Sequence, residues 1–150
     1  MISYSKPPAT PPSIKAAPKI RQIYWCNFWK DACLPEMWKM RPVIIISYKH
    51  KLHSHSTVIP TSTTIQDDNE WAYKLSIEIE ENGVKSYAIC NQPYTVSNSR
   101  LTKFRGAIPL LPKEDFNHIL EKLMKWLPQP FSLYHSCFKI CEIIYNNSIL

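Results

Sequence analysis

The hydrophobic pattern of this chain changes period once, near Lys113, and that change restricts the folds open to it. Upstream, apolar residues come in short β-branched or aromatic runs. Downstream, Phe116, Ile119, Leu120, Leu123 and Leu127 recur at three- and four-residue spacings. Short apolar or alternating runs fit strands, and a period near 3.6 fits a helix with one buried face. Glu114 and Asp115 at the start of that helix and Lys122 and Lys125 near its end suit the helix dipole, and Pro128 and Pro130 stop it. Strands followed by a helix predict a mainly β domain with a C-terminal helix, arranged as a small β-barrel with the helix packed outside.

Ile23-Tyr24-Trp25-Cys26-Asn27-Phe28 reads as the first strand, and Val43-Ile44-Ile45-Ile46 as a second, buried on both faces. Thr57-Val58-Ile59 is a third, expected to end at Pro60. Leu75, Ile77 and Ile79 alternate with Ser76, Glu78 and Glu80, as in a half-buried strand; Asn82-Gly83 then predicts a tight turn, with residues 84–90 returning as its partner. Tyr94-Thr95-Val96 and Ala107-Ile108 are weaker strand candidates. Residues 1–19, with Pro7, Pro8, Pro11, Pro12 and Pro18, read as a flexible Pro-rich leader, and residues 20–127 as the folded domain. In residues 128–150, Tyr134, Cys137, Phe138, Cys141 and Tyr145 share a helical face, so this extension is expected to be helical.

Composition removes several classes of function. With 2 glycines against 13 prolines, neither a GxGxxG turn nor a phosphate-binding Walker loop can be assembled. No apolar run approaches the length of a membrane span, and the N-terminus lacks a secretory signal, so no membrane association and a cytoplasmic location are expected. The 5 cysteines include no CxxC pair and fit reduced, buried thiols. The net charge of +6 is unevenly spread: residues 66–82 hold six of the 12 acidic side chains against Lys74 alone, a local charge of −5 that leaves +11 elsewhere. A basic excess of that size suits a polyanion such as nucleic acid, although an acidic face beside a basic one is also common on solvated surfaces.

Candidate chemistry gathers around the second and third strands. Arg41 precedes the buried run and presents a permanently charged planar fork that fits a phosphate in its transition state; at a sheet edge an arginine also serves as a surface or salt-bridge residue. Ser62 offers a hydroxyl just past a strand end, where such residues also form turns. Glu36 lies five residues before Arg41. His50, His53 and His55 would be metal ligands in another setting, but no Cys or carboxylate spacing accompanies them, and a basic phosphate-touching loop is the better reading. No metal site and no cofactor are expected. Trp29 and Trp38 fall in a loop, where an exposed ring can stack on a base.

Five pieces in order carry a family resemblance: Ile23-Tyr24-Trp25-Cys26-Asn27-Phe28; Glu36 before Arg41-Pro42-Val43-Ile44-Ile45-Ile46-Ser47; Val58-Ile59-Pro60-Thr61-Ser62-Thr63; Cys90-Asn91-Gln92-Pro93-Tyr94-Thr95-Val96; and Ser99-Arg100-Leu101 with Arg105-Gly106. From about Ile20 to Leu127 the chain resembles the PemK/MazF family of toxin endoribonucleases. The resemblance implies an SH3-like β-barrel, a homodimer, and metal-independent cleavage of single-stranded RNA by attack of the ribose 2′-OH, leaving 2′,3′-cyclic phosphate and 5′-OH ends. It implies that Arg41 stabilises the phosphorane, that Ser62 keeps a hydroxyl where the family usually has threonine, and that Glu36 assists as a base. Gln92 matches a residue beside the substrate groove, and Thr61, Thr63, Asn91 and Lys49 complete the expected substrate-binding set. The resemblance also implies a cognate antitoxin, and an acidic segment would suit the basic surface.

The chain departs from the family pattern at four places. Asn91 stands where many members carry Asp, Ile89 stands where some members place a second arginine, Asn27 replaces a frequent Asp, and Arg21-Gln22 stand in place of the usual glycine before the first strand. Two rival readings follow: a catalytically degenerate member that binds nucleic acid or antitoxin, and a gyrase-directed toxin of the related CcdB type.

Overall fold

The computed structural model describes residue 6 and residues 9–28, 32–80 and 83–129. Seven strands form one antiparallel sheet: β1 (Ile23–Asn27), β2 (Met40–Ile45), β3 (His55–Ser62), β4 (Ala72–Lys74), β5 (Tyr87–Ile89), β6 (Tyr94–Ser97) and β7 (Leu101–Thr102). The order is β4-β5-β3-β2-β1-β7, with β6 also paired to β3. Among the described residues one α-helix follows, α1 (Lys113–Trp126). The element types and their order therefore match the mainly β domain with a C-terminal helix that the change of period predicts.

The β-branched runs are continuous because the curled sheet is buried on both faces. Ile23, Ile44 and Ile59 face one core with Ala88 and Cys90, and α1 closes that core with Phe116, Ile119 and Leu123. Their neighbours Tyr24, Cys26, Val43, Ile45 and Val58 face a second core with Phe28, Val96 and Leu101. Ile14 belongs to this second core, Ala17 is buried, and Ser13 Oγ donates to the Leu101 carbonyl at 3.0 Å. Residues 13–18, expected within a flexible leader, thus lie on the barrel, because Ile14 and Ala17 have apolar surface to cover there.

Other expectations need correction. Pro60 does not end the third strand; β3 runs to Ser62. Beside β3, β6 pairs up to Val58 and β5 from Thr61, so Pro60 sits at the change of partner, where a missing N–H interrupts neither ladder. The alternating run after β4 is not a strand. Leu75 and Ile79 are buried as the alternation requires, but the ladder with β5 stops at Lys74. There the carboxylate of Asp115, at the start of α1, takes the Ser76 N–H at 2.9 Å and its hydroxyl at 2.8 Å. The Leu75 N–H still reaches the Ser86 carbonyl at 2.9 Å, so the Ser76 N–H faces away from β5, and the Asp115 carboxylate takes it at that outer edge. Gly83 keeps the turn character expected of it, with φ at 74°. Ala107-Ile108 forms no strand; Leu101–Thr102 takes the place beside β1 instead. The predicted helix within residues 128–150, with Cys137 and Cys141, lies outside the described residues, as does Trp29.

Arg21, in the place of the family's glycine, has φ at 70°, a left-handed conformation that costs a non-glycine residue roughly 1–2 kcal/mol. Its own contacts hold it there. Its backbone N–H donates to the Ile45 carbonyl at 2.9 Å, and its Nε to the Leu111 carbonyl at 2.8 Å, tying the first strand to the segment that enters α1.

Candidate functional site

Register brings the central candidates together. Val43 pairs with Pro60, so continuing the antiparallel ladder sets Arg41, two residues earlier, against Ser62, two residues later. Thr61 Oγ1 donates to the Pro42 carbonyl at 2.9 Å, which holds the two strands together at that point. Asn91 and Gln92 lie in the turn between β5 and β6, the two strands that flank the Pro60 step of β3. The Gln92 N–H donates to the Ile89 carbonyl at 3.1 Å and closes that turn. Arg41 and Ser62 therefore lie towards the C-terminal end of β3, and the Asn91-Gln92 turn lies beside Val58 to Pro60 on the opposite side of β3 from β2.

Their polar atoms are incompletely satisfied. Among the described residues, three buried side-chain nitrogen or oxygen atoms make no hydrogen bond: Arg41 Nε, Asn91 Oδ1 and Gln92 Oε1. Leaving such an atom unpaired costs about 1–3 kcal/mol, and more for a charged group, so folded chains keep few. All three belong to residues singled out from the sequence. Ser62 is buried, and its Oγ accepts the Thr64 N–H at 3.2 Å, which leaves its own hydroxyl proton to give away.

The remaining candidates divide. Thr61 is buried, with its hydroxyl donated to the Pro42 carbonyl. Thr63 is exposed just beyond β3. Lys49 is exposed in the β2–β3 loop, at the far end of the hairpin from Arg41, roughly 17 Å away along the strand. In that loop the His50 and His55 rings stack with centroids 6.2 Å apart, and His50 Nδ1 and Ser54 Oγ hydrogen bond at 2.9 Å. Among the described residues no group of three or more His, Cys, Asp or Glu side chains is placed to hold a metal ion.

Glu36 occupies a different position from Arg41. It lines an open cleft of about 390 Å³ with Phe28, Met37, Tyr94, Ser97 and Arg100, a lining that does not include Arg41 or Ser62. Its Oε2 accepts the Cys33 N–H at 2.9 Å, and its own N–H donates to the Cys33 carbonyl at 2.8 Å, so one carboxylate oxygen is engaged in its own turn. The Met37 N–H donates to Tyr94 Oη at 3.0 Å and anchors this loop to β6.

Two residues that sequence reasoning passed over fasten loops of this fold. Asn98 is 1% exposed, accepts from Ser56 Oγ at 2.7 Å, and donates through Nδ2 to the carbonyls of Lys51 at 3.2 Å and Leu52 at 3.0 Å. It pins the basic β2–β3 loop to the 3-10 turn Asn98–Arg100. Asp115 is the other; it also accepts from Tyr73 Oη at 3.1 Å. Neither bears a pattern that a single sequence displays, since one polar residue beside a strand or in a first helical turn ordinarily caps or faces water. Arg100 in the cleft is a third, visible in the sequence only as part of a motif.

The buried thiols are inert. Burial pushes Cys26 up to about 12, partly offset by the nearby Arg100 charge, and Cys90 up to about 11, partly offset by Lys122. A nucleophilic thiol needs the reverse shift. No described helix is long and apolar enough to cross a membrane.

Comparison with curated proteins found no match. Among solved structures, MazF from Deinococcus radiodurans is similar in fold, with a TM-score of 0.57 at 16% identity over 73% of this chain and 94% of that one. An endoribonuclease from a mycobacterial species, in complex with its cognate antitoxin, gives 0.52 at 18% identity over 76% of this chain and 100% of that one. A second mycobacterial endoribonuclease gives 0.50 at 17% identity over 76% and 96%. At these identities the likeness concerns the barrel-like fold alone. A family model, however, matches residues 19–127, nearly the whole described barrel and its helix, and the chain belongs to the PemK-like, MazF-like toxins of type II toxin-antitoxin systems.

Proposed function

We propose that this toxin-family member is a metal-independent endoribonuclease that cuts single-stranded RNA by attack of the 2′-OH on the adjacent phosphate, leaving 2′,3′-cyclic phosphate and 5′-OH ends. The observation that carries the reading is the trio of unpaired buried atoms, Arg41 Nε, Asn91 Oδ1 and Gln92 Oε1, on strands and a turn that flank the C-terminal half of β3. A donor fixed on a cation and two fixed acceptors form a preorganised site for a ribose-phosphate, and such preorganisation is the main source of electrostatic catalysis. Arg41 stabilises the negative charge that grows on the phosphorane. Ser62 donates its free hydroxyl proton to a phosphate oxygen. The two amide oxygens accept from ribose hydroxyl or base amino groups, with Thr63 and Lys49 holding the strand further out.

An amide cannot take the 2′-OH proton, so Asn91 is not the base, and Glu36 is the carboxylate that remains for it. The mycobacterial endoribonuclease held by its antitoxin supports a cognate antitoxin as partner here, docked through an acidic segment, and a homodimer is the proposed assembly. Residues 20–127 form the toxin domain in this reading, with residues 128–150 as an extension.

The test is incubation of the purified protein with a long unstructured RNA in excess EDTA, beside Arg41→Ala and Glu36→Gln. Discrete cuts with cyclic-phosphate ends, lost in Arg41→Ala and slowed by roughly 10²-fold or more in Glu36→Gln, are expected. Intact RNA from a folded wild type would favour the binding module that Asn91 suggests. Cutting that survives Arg41→Ala would remove the site assigned here.

A further inference from the structure

The loop entering β2 carries a side chain that the fold leaves unused. Trp38 is 51% exposed, and Met40 beside it is 52% exposed. Trp25, by contrast, is stacked on Phe104 with centroids 5.0 Å apart. The exposure of Trp38 does not come from a loose loop. The neighbouring Met37 is held by Tyr94 Oη and packs against the second core, while Trp38 stays on the surface. Lys39 Nζ lies over one face of the Trp38 ring, 4.5 Å from its centroid, and half of the side chain is still exposed.

Trp38 stands three residues before Arg41, no more than about 10 Å along the chain. An exposed aromatic ring with a cation on one face, on the segment that leads into Arg41, matches what single-stranded nucleic acids require. Such sites pair a cation on the phosphate backbone with an aromatic plate for an unstacked base. Bases in a duplex are already stacked and have no face to offer.

We infer that Trp38 is the stacking platform for a nucleobase flanking the phosphate held at Arg41, with Lys39 meeting the adjoining phosphate. This rests on the ribonuclease reading above and deepens it: the substrate must be single-stranded because one of its bases lies on Trp38. Charge favours RNA over an acidic peptide at this spot, since the feature beside Lys39 is a flat ring face and not a second cation.

The test uses the full chain and two fluorescent heptamers of equal charge, a 2′-O-methyl oligoadenylate that cannot be cut and an abasic oligomer with the same phosphates. Trp38→Ala is expected to weaken oligoadenylate binding at least about fivefold while leaving the abasic oligomer unchanged. Trp38→Phe restores most of the loss, and keeps the test valid if Trp38→Ala folds poorly. Lys39→Ala should weaken both oligomers and reduce the steepness of the salt dependence by about one phosphate contact. Equal losses on the two oligomers, or none, would overturn the inference. So would a Trp38→Ala protein that loses only self-association or antitoxin binding. A wild type that cuts RNA in EDTA while failing this comparison defeats the platform alone; one that neither cuts RNA nor binds either heptamer defeats the parent reading as well.

Discussion

Replacing Asn98 with alanine should cost this small protein a large part of its stability and release the basic loop at the same time. The side chain makes three hydrogen bonds, one accepted from Ser56 Oγ and two donated to the Lys51 and Leu52 carbonyls. At about 1 kcal/mol each, their loss amounts to about 3 kcal/mol. The Lys51 and Leu52 carbonyls belong to residues that reach solvent, so they regain water, whereas the buried Ser56 hydroxyl does not. The net expectation is therefore about 2–4 kcal/mol, against the roughly 5–15 kcal/mol that holds a typical domain together. Urea unfolding followed by circular dichroism measures it, with the slope of the transition unchanged. Asn98→Asp is a sharper variant: it keeps the acceptor for Ser56 but turns a carboxylate towards two carbonyls, and it should be at least as destabilising as alanine. Trypsin should cut after Lys49 and Lys51 faster in both variants, because the Lys51 and Leu52 carbonyls then lose their tie to the 3-10 turn. A loss under 1 kcal/mol with unchanged loop proteolysis would refute the idea that this amide is the fastening of the loop.

Other perturbations test different parts of the fold. At Arg21, glycine removes both the left-handed strain and the bond to Leu111, while alanine removes only the bond; Arg21→Gly should be about 1 kcal/mol more stable than Arg21→Ala in the same unfolding assay. Asp115→Ala strips the acceptor from Tyr73 and Ser76 and should cost about 3 kcal/mol, while Ser76→Ala, which keeps the backbone N–H to that carboxylate, costs about 1 kcal/mol. The raised thiols fix the direction of an alkaline effect. In the folded chain Cys26 and Cys90 hold their protons up to about 12 and about 11, while the unfolded chain releases them near 9. Stability is therefore complete below pH 9 and falls as pH rises towards 11 and 12, by up to about 1.4 kcal/mol per pH unit for each thiol. The urea midpoint should drop between pH 8 and 10.5, and less steeply in Cys26→Ala. Iodoacetamide at pH 8 should label the exposed Cys33 and spare Cys26 and Cys90, as read by peptide mass mapping.

Local pattern alone determined much of this protein. The 3.6 period from Lys113 placed α1, because a helix face is set by residues within one or two turns. The β-branched run before Ser47 placed β2 as a strand buried on both sides, whereas Asn91 and Gln92 were singled out only through the family resemblance in motif order. Tertiary structure decided what depends on partners distant in sequence. The alternation of Leu75, Ile77 and Ile79 told which side chains turn inward, with Leu75 and Ile79 buried and Ile77 half-buried, but not that Asp115, some forty residues on, would take the Ser76 N–H and hydroxyl. Pro60 reads as a strand breaker until β5 and β6 are seen to divide β3 between them. Ile14 lies in a proline-rich segment and is buried only because the second core has room for it. Lys49 and Glu36 seem close to Arg41 along the chain, yet a hairpin carries one to its far tip and a turn closed on Cys33 holds the other in a separate cleft. Hydrophobic period is written in neighbouring residues; a hydrogen-bond partner is chosen only when the chain has folded back on itself.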